Sequence, residues 1–231
     1  MLRLLRFVLP ALLCAAAPAT RAATFDLDTA TVAEVNAAFA SGALTSEKLV
    51  SLSLARIAAY DHAGPQLNAI IALNPQALAT ARALDVERKA GHVRGPLHGI
   101  PVVLKDNYDT ADLPTTSGSF MLQGSIPPDD AFVVKKLRDA GAIILAKVNL
   151  SEFASGGAMS SMIGQSHNPH DLTRTPAGSS GGTGVSIAAG YALIGLGTDT
   201  GGSIRGPSTA NGIVGLKPTH GLLSRDGIIP L

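Results

Sequence analysis

The sequence predicts an α/β fold with a largely parallel or mixed central sheet flanked by helices. Two apolar runs, IPVVL at 100–104 and AIILA at 142–146, have the length and composition of buried strands. Helix signals lie between these runs and ahead of them. The chain has 231 residues, of which 46% are hydrophobic and 15% charged, and it therefore carries enough apolar material for a sizeable core.

A helical N-terminal layer is expected ahead of the first of these strands. Each helix signal consists of apolar residues at helical spacing, bounded by a capping residue or a proline turn and by a glycine. Thr31 and Glu34 form a capping box at the first signal. The three predicted helices run from Thr31 to Gly42, from Thr45 to Gly64 and from Asn74 to Gly91.

The region after residue 99 alternates strand and helix. A helix capped by Asp130 is predicted to end at Gly141, between the two apolar runs. No repeat, low-complexity segment or clear linker divides residues 24–231, which are therefore expected to belong to one domain.

Residues 1–23 have the organisation of a secretory signal peptide. Arg3 and Arg6 make a positive start, an apolar run follows at 7–17, and small residues then provide a processing site. The run is 11 residues long, whereas a helix needs about 20 to span a bilayer. Cleavage after Ala19 and cleavage after Ala22 both fit. A secreted or periplasmic protein is expected.

Composition excludes several function classes. Cys14 is the single cysteine and lies within the predicted signal peptide, so disulfides and thiolate metal sites are not expected. A cysteine that accepts a lipid in lipoproteins is preceded by a small residue, whereas Leu13 precedes Cys14. No stable membrane anchor is therefore expected. The chain has 18 Lys and Arg against 17 Asp and Glu, and loss of residues 1–23 leaves 15 against 17. Without a basic excess, nucleic acid is not an expected partner.

The sequence has two glycine-rich stretches, TPAGSSGGTG at 175–184 and TDTGGSIRG at 198–206. Clustered glycines indicate that the backbone turns sharply there or that other groups come close to it. Neither has the glycine spacing of a dinucleotide or Walker loop. Residues 178–182 match G-x-S-x-G, which makes an α/β-hydrolase-type serine esterase using Ser180 an alternative. The preceding residues, NPHDLTRTPA, are polar and lack the buried strand that such an elbow requires.

Two further groups of residues have titratable side chains. Lys105 ends the first apolar run, where it can point into a cleft; its structural alternative is an ion pair with Asp106 or Asp109. His167 and His170 lie in a proline-interrupted loop. They are expected to be exposed, and no metal site is predicted there.

Five segments together resemble the amidase signature family, from about residue 30 to the end. They are GPLHGIPVVLKDN, GAIILAKVNLSEF, SHNP, AGSSGGTG and GLGTDTGGSIRGPSTANGIVGLKPTHGLLSRDG. The resemblance implies a catalytic triad of Ser203 as nucleophile, Ser179 after a cis peptide bond, and Lys105 as base. Burial of Lys105 beside Val103 would lower its pKa and favour the neutral amine. Ala177 departs from the family, which usually has glycine there.

The resemblance also implies the reaction: a carboxylic amide, in a small molecule or a peptide, is hydrolysed to an acid and ammonia or an amine. The implied oxyanion hole is built from backbone N–H groups of Thr200, Gly201, Gly202 and Ser203. Ser180, Asp199 and Arg205 are expected to support these groups. No cofactor is implied.

Family members continue beyond the point where this sequence ends, at SRDGIIPL. Residues 24–231 are therefore expected to be the N-terminal part of an amidase domain, and a catalytically inactive fragment is an alternative. The predicted export signal disfavours members that pass ammonia to glutamyl-tRNA in cytosolic complexes. The particular amide and the oligomeric state are not predicted.

Overall fold

Four strands form a central sheet between layers of helices, in a computed structural model that describes residue 26 and residues 29–230. The helices are α1 (Val32–Ala40), α2 (Ser46–Tyr60), α3 (Ala77–Lys89), α4 (Phe132–Asp139), α5 (Gly181–Ala188) and α6 (Arg205–Ala210). The strands are β1 (Ile70–Leu73), β2 (Pro101–Lys105), β3 (Ile143–Val148), β4 (Met159–Ser160), β5 (Gly164–Gln165) and β6 (Ile194–Leu196). The predicted signal peptide and Cys14 lie outside the described residues. Over the part described, no helix combines the length and hydropathy needed to cross a bilayer.

The sheet is mixed, in the order β1-β3-β2-β6. Strand β2 runs parallel to both β3 and β6, whereas β1 runs antiparallel to β3. The mixed α/β sheet is therefore confirmed. The N-terminal layer differs from the prediction because it contributes β1 to the sheet. Four apolar residues are too few for periodicity to distinguish a strand from part of a helix.

The two faces of the sheet carry separate apolar cores. Val103 and Val148 pack with residues of α2, α3 and α5, while Leu104 and Ile144 pack on the side of α4. Successive side chains of a strand point to opposite faces. Lys105, in register with Val148, therefore belongs to the α5 face.

The predicted helices form, with one different cap. Thr31 and Glu34 make the capping box of α1, and Thr45 caps α2 through its side chain. The cap predicted at Asp130 is wrong, because α4 begins at Phe132 without a side-chain cap. Asp130 instead accepts a hydrogen bond from the backbone N–H of Ala111 and pairs with Arg138.

Helix α5 occupies the first glycine-rich stretch, where the sequence predicts no helix. The N–H of Gly182 donates to the carbonyl of Asn149, just past the end of β3, at 3.0 Å. A Cβ at residue 182 would lie 2.4 Å from that oxygen. Glycine therefore allows α5 to begin against the carboxyl end of the sheet, and this contact outweighs the weak helix propensity of glycine.

Candidate active site

Lys105 ends β2 with its side chain fully buried. Its Nζ atom lies 2.6 Å from Oγ of Ser179 and 2.6 Å from Oγ1 of Thr198. Among the ion pairs of the described residues, none involves Lys105, so the alternative pairing with Asp106 or Asp109 does not form. The sequence-predicted lysine and the first of the adjacent serines are thus brought into direct contact.

The surroundings of Lys105 favour its neutral amine. Burial lowers the pKa of Lys105 to about 7, because removal from water penalises the ammonium form. The negative charge of Asp199 acts in the opposite direction and is the smaller effect. Near neutral pH a large fraction of this lysine can therefore accept a proton.

Ser179 follows a cis peptide bond from Gly178, as the resemblance implies. The side chain is 2% exposed, and the carbonyl accepts a hydrogen bond from the N–H of Ser151 at 3.0 Å. The main-chain contact and the lysine contact fix the hydroxyl at the carboxyl end of the sheet.

Ser180 connects the two glycine-rich stretches. Its hydroxyl donates to the carbonyl of Thr198 and accepts from the N–H of Thr198, both at 3.2 Å. Its own N–H donates to the carbonyl of Ser203 at 3.1 Å. Residues 166–180, all of which are described, contain no strand. The nucleophile-elbow alternative for Ser180 is therefore wrong for this fold.

Ser203 lies next to Ser180, whose N–H donates to its carbonyl, and is half-buried. Its hydroxyl makes no hydrogen bond to any residue that the structure describes, and the backbone bond from Ser180 holds it beside the other two candidates. Hydrogen bonds between catalytic groups often tighten only in the substrate complex.

Asp199 organises the loop that leads to Ser203. Its carboxylate accepts hydrogen bonds from the N–H groups of Gly202, Ile204 and Arg205, at 2.8 to 3.2 Å. It also forms a two-point ion pair with the Arg205 guanidinium, at 3.0 and 3.1 Å. The Arg205 bonds hold the pKa of Asp199 well below its ordinary value.

The backbone donors of this loop fall into two groups. The N–H of Gly202 points at Asp199, at 2.8 Å. The N–H groups of Gly201 and Ser203 have no partner within the described part of the chain. A Cβ at residue 201 would have no described atom within 4 Å, and Gly202 has a φ of +126°. The loop is therefore open on the side of Gly201.

The two loop histidines differ in exposure. His170 is exposed, and its Nε2 lies 2.9 Å from the carbonyl oxygen of Asn211. His167 is half-buried, which differs from the expected exposure. Across residues 29–230 no group of three or more His, Cys, Asp or Glu side chains is arranged to hold a metal ion.

Three contacts at the site go beyond the sequence-based prediction. Thr198 touches Lys105, Ser151 holds the carbonyl of Ser179, and Lys147 lies 2.9 Å from the carboxylate of Asp106. The place of Thr198 in the second glycine-rich stretch is a signal that could have identified it. Ser151 acts through its backbone, which carries no sequence signal.

Comparison with known proteins identifies the family. The family model described as Amidase matches residues 48–231, and the chain therefore belongs to the amidase family. One chain of a glutamyl-tRNA(Gln) amidotransferase, from Acidothermus cellulolyticus, is 47% identical over 206 residues. That match covers 88% of this chain and 40% of the relative.

Solved structures of two relatives have the same fold over this region. The peptide amidase of Stenotrophomonas maltophilia matches with a TM-score of 0.85 and 50% identity, over 87% of this chain and 42% of that chain. An amidase family protein of Bacillus anthracis matches with a TM-score of 0.85 and 40% identity, over 88% and 42% respectively. This chain thus spans about two fifths of the length of these relatives.

Proposed function

We propose that this chain carries the catalytic groups of an amide hydrolase that cleaves a carboxylic amide to an acid and ammonia or an amine. The observation that supports this most directly is the buried Lys105 amine, with a pKa of about 7, at 2.6 Å from the Ser179 hydroxyl. A neutral lysine beside a serine is a base that can activate a nucleophile without histidine.

In the first half of the reaction, Oγ of Ser203 attacks the amide carbonyl carbon. The Ser203 proton passes to Oγ of Ser179 as the Ser179 proton passes to Nζ of Lys105. The carbonyl oxygen gains negative charge, which the N–H groups of Gly201 and Ser203 are positioned to stabilise. The resemblance also implies Thr200 and Gly202 as members of the oxyanion hole. The N–H of Gly202 donates to the Asp199 carboxylate instead.

In the second half, the C–N bond breaks and the leaving nitrogen takes a proton from Ser179, which regains one from Lys105. The product at this stage is an ester between the acyl group and Ser203. Water then attacks this ester and gives a proton to Lys105 through Ser179. The bond between the acyl carbon and Oγ of Ser203 breaks, Oγ takes that proton back through Ser179, and the acid is released. Every proton that Ser179 and Lys105 accept is given up again in a later step, so the cycle ends with neutral Lys105.

The substrate is proposed as a small-molecule or peptide amide. One relative is named a peptide amidase, and another belongs to an amidotransferase that acts on glutamyl-tRNA(Gln) by its name. A panel of C-terminally amidated peptides, aliphatic amides and glutamine, with ammonia detection, separates these classes. Release of ammonia from glutamine alone would favour the amidotransferase class.

The nucleophile can be tested directly with a fluorophosphonate probe and mass spectrometry of the 231-residue chain. The expected label is on Ser203, and Ser203→Ala should abolish it. Ser180→Ala is the matched control, since Ser180 is an adjacent serine bound to the Thr198 backbone. Labelling of Ser180 in place of Ser203 would refute the proposed mechanism.

A non-catalytic product is the second candidate. Val214, Leu216 and Leu222 lie within nine residues of the sequence and are 98%, 79% and 70% exposed, which is unusual for large apolar side chains of a self-contained catalytic domain. If the folded chain neither reacts with the probe nor hydrolyses any amide in the panel, this alternative replaces the hydrolase for the 231-residue chain.

We also propose that residues 1–23 direct export and are removed. Their charged start and short apolar run support this. The intact mass of the chain from the cell exterior or periplasm should correspond to a start between residues 20 and 24. A chain that starts at Met1 in the cytosolic fraction would contradict export.

A further inference from the structure

The Lys105 amine has two hydroxyl partners at the same distance, and the proposed mechanism uses only one. Ser179 and Thr198 each lie 2.6 Å from Nζ. A neutral amine has two N–H groups and one lone pair, whereas ammonium has three N–H groups and none. To act as a base toward Ser179, the amine must direct its lone pair at that hydroxyl. The two N–H groups then need other acceptors, and Thr198 can serve one of them.

Thr198 is placed to be that acceptor. Its backbone N–H and carbonyl both bond to the Ser180 hydroxyl, at 3.2 Å. The preceding carbonyl, of Gly197, accepts a hydrogen bond from the Tyr108 hydroxyl at 2.6 Å. With its main chain held on two sides, Thr198 presents Oγ1 to Lys105 from a fixed position.

Asn107 also contacts the Thr198 hydroxyl. It is fully buried, its Nδ2 lies 3.5 Å from Oγ1 of Thr198, and the same nitrogen donates to the carbonyl of Ile229 at 3.2 Å. A hydroxyl oxygen can accept two hydrogen bonds. When Oγ1 of Thr198 accepts from both Lys105 and Asn107, its two lone pairs are used, and the Lys105 lone pair is left for the Ser179 hydroxyl.

We propose that Thr198 is a positioning residue that binds one N–H of Lys105 and so aims the lysine lone pair at Ser179, with Asn107 supporting Thr198. This inference rests on the proposed hydrolase function. It adds to that function a group that takes no proton and does not contact substrate.

The change Thr198→Val distinguishes a loss of Lys105 orientation from a mere change in the pKa of Lys105. It removes an acceptor that favours the ammonium form, so the pKa of Lys105 should fall by about half a unit or more. A larger neutral fraction alone would raise the rate below pH 7. Because the lone pair is no longer aimed, the acylation rate should instead fall about ten- to a hundredfold, also at pH 9 where both proteins are neutral at Lys105.

The measurement combines two readouts. The Lys105 pKa is followed by NMR of lysine labelled with ¹³C at Cε, which requires no activity, and acylation is followed with the fluorophosphonate probe between pH 5 and 9. Thr198→Ser should keep both values near those of the wild type. The matched control is Thr183→Val, which removes a neighbouring threonine hydroxyl that donates to the Leu196 carbonyl at 3.2 Å.

The outcomes are distinct. A lower pKa with slower acylation at pH 9, reversed in Thr198→Ser, supports positioning. An unchanged Lys105 pKa in Thr198→Val, or an effect equalled by Thr183→Val, would overturn it. If Thr198→Val does not fold, Thr198→Ala replaces it, because it removes the same hydroxyl and should change both readouts in the same direction; no change in either readout would then overturn the proposal. If wild-type Ser203 is not labelled, the hydrolase function fails, and the NMR titration still decides the Thr198 contact.

Discussion

Two lysines lie fully buried on neighbouring strands of one sheet, and they differ in their partners. Lys105 ends β2 and contacts the hydroxyls of Ser179 and Thr198. Lys147, on β3, lies 2.9 Å from the carboxylate of Asp106 and donates to Oγ1 of Thr115 at 2.8 Å. In the β2–β3 register Lys147 pairs with Leu104 and Lys105 with Val148, which places the two lysines on opposite faces of the sheet.

Burial alone does not make a lysine a base. Burial lowers the pKa of both lysines, but only Lys147 has a carboxylate in contact that opposes the shift. Lys147 is therefore best described as half of a buried ion pair. Lys105 has neutral hydroxyl partners, and the charge that opposes its shift is that of Asp199, which is engaged by Arg205.

The buried ion pair also has a structural connection to the site. Asp106 directly follows Lys105, and its carboxylate accepts hydrogen bonds from the backbone N–H, at 3.0 Å, and the hydroxyl of Thr116. Its carbonyl accepts from the N–H of Ser117 at 2.9 Å. The pair thus fixes the 115–117 segment to the strand ends beside the candidate base.

The largest expected effect is on stability, from Lys147→Met. This change leaves the buried Asp106 carboxylate without its counter-charge, and the free energy of unfolding should fall by about 3–5 kcal/mol. Urea denaturation followed by circular dichroism measures it. Adding Asp106→Leu should recover part of the loss, because no unpaired charge then remains buried. A single variant as stable as the wild type would show that the ion pair is not needed.

Lys105→Met is the matched change on the other face and should affect activity instead. Removing the base should lower the rate of Ser203 acylation by at least about a hundredfold. The free energy of unfolding should stay within about 1 kcal/mol of the wild type, because no charge is left unpaired. Lys105→Arg should be equally inactive, since guanidinium stays protonated. Retained activity in Lys105→Arg would exclude a lysine base.

The rate of Ser203 acylation should depend on pH through the protonation of Lys105. The folded-state pKa of Lys105, about 7, lies below the ordinary value of 10.5, so the ammonium form takes over as the pH falls through 7. Acylation should therefore decrease about tenfold per unit well below pH 7 and reach a plateau above pH 8. Probe labelling of Ser203 between pH 5 and 9 gives the profile. A rate independent of pH from 5 to 8 would contradict a base with this pKa.

Much of the fold, and the choice of candidate site residues, could be predicted from the sequence. The capping box of Thr31 and Glu34, the two buried strands and the mixed α/β class rest on local patterns that the structure confirms. Local patterns failed at β1 and α5, where pairing with β3 and the contact of Gly182 with Asn149 override weak or contrary propensity.

By itself the sequence determined which residues could form the site, because the serines, the lysine and the glycines stand in motifs that are read locally. Tertiary structure decided which of them meet. Lys105 contacts hydroxyls 74 and 93 positions away and burial lowers its pKa, whereas Lys147 meets a carboxylate. Basicity depends on desolvation and on neighbouring charge. Both arise only when distant segments pack, and for this reason the sequence alone could not show that Lys147 is ion-paired or that Thr198 contacts Lys105.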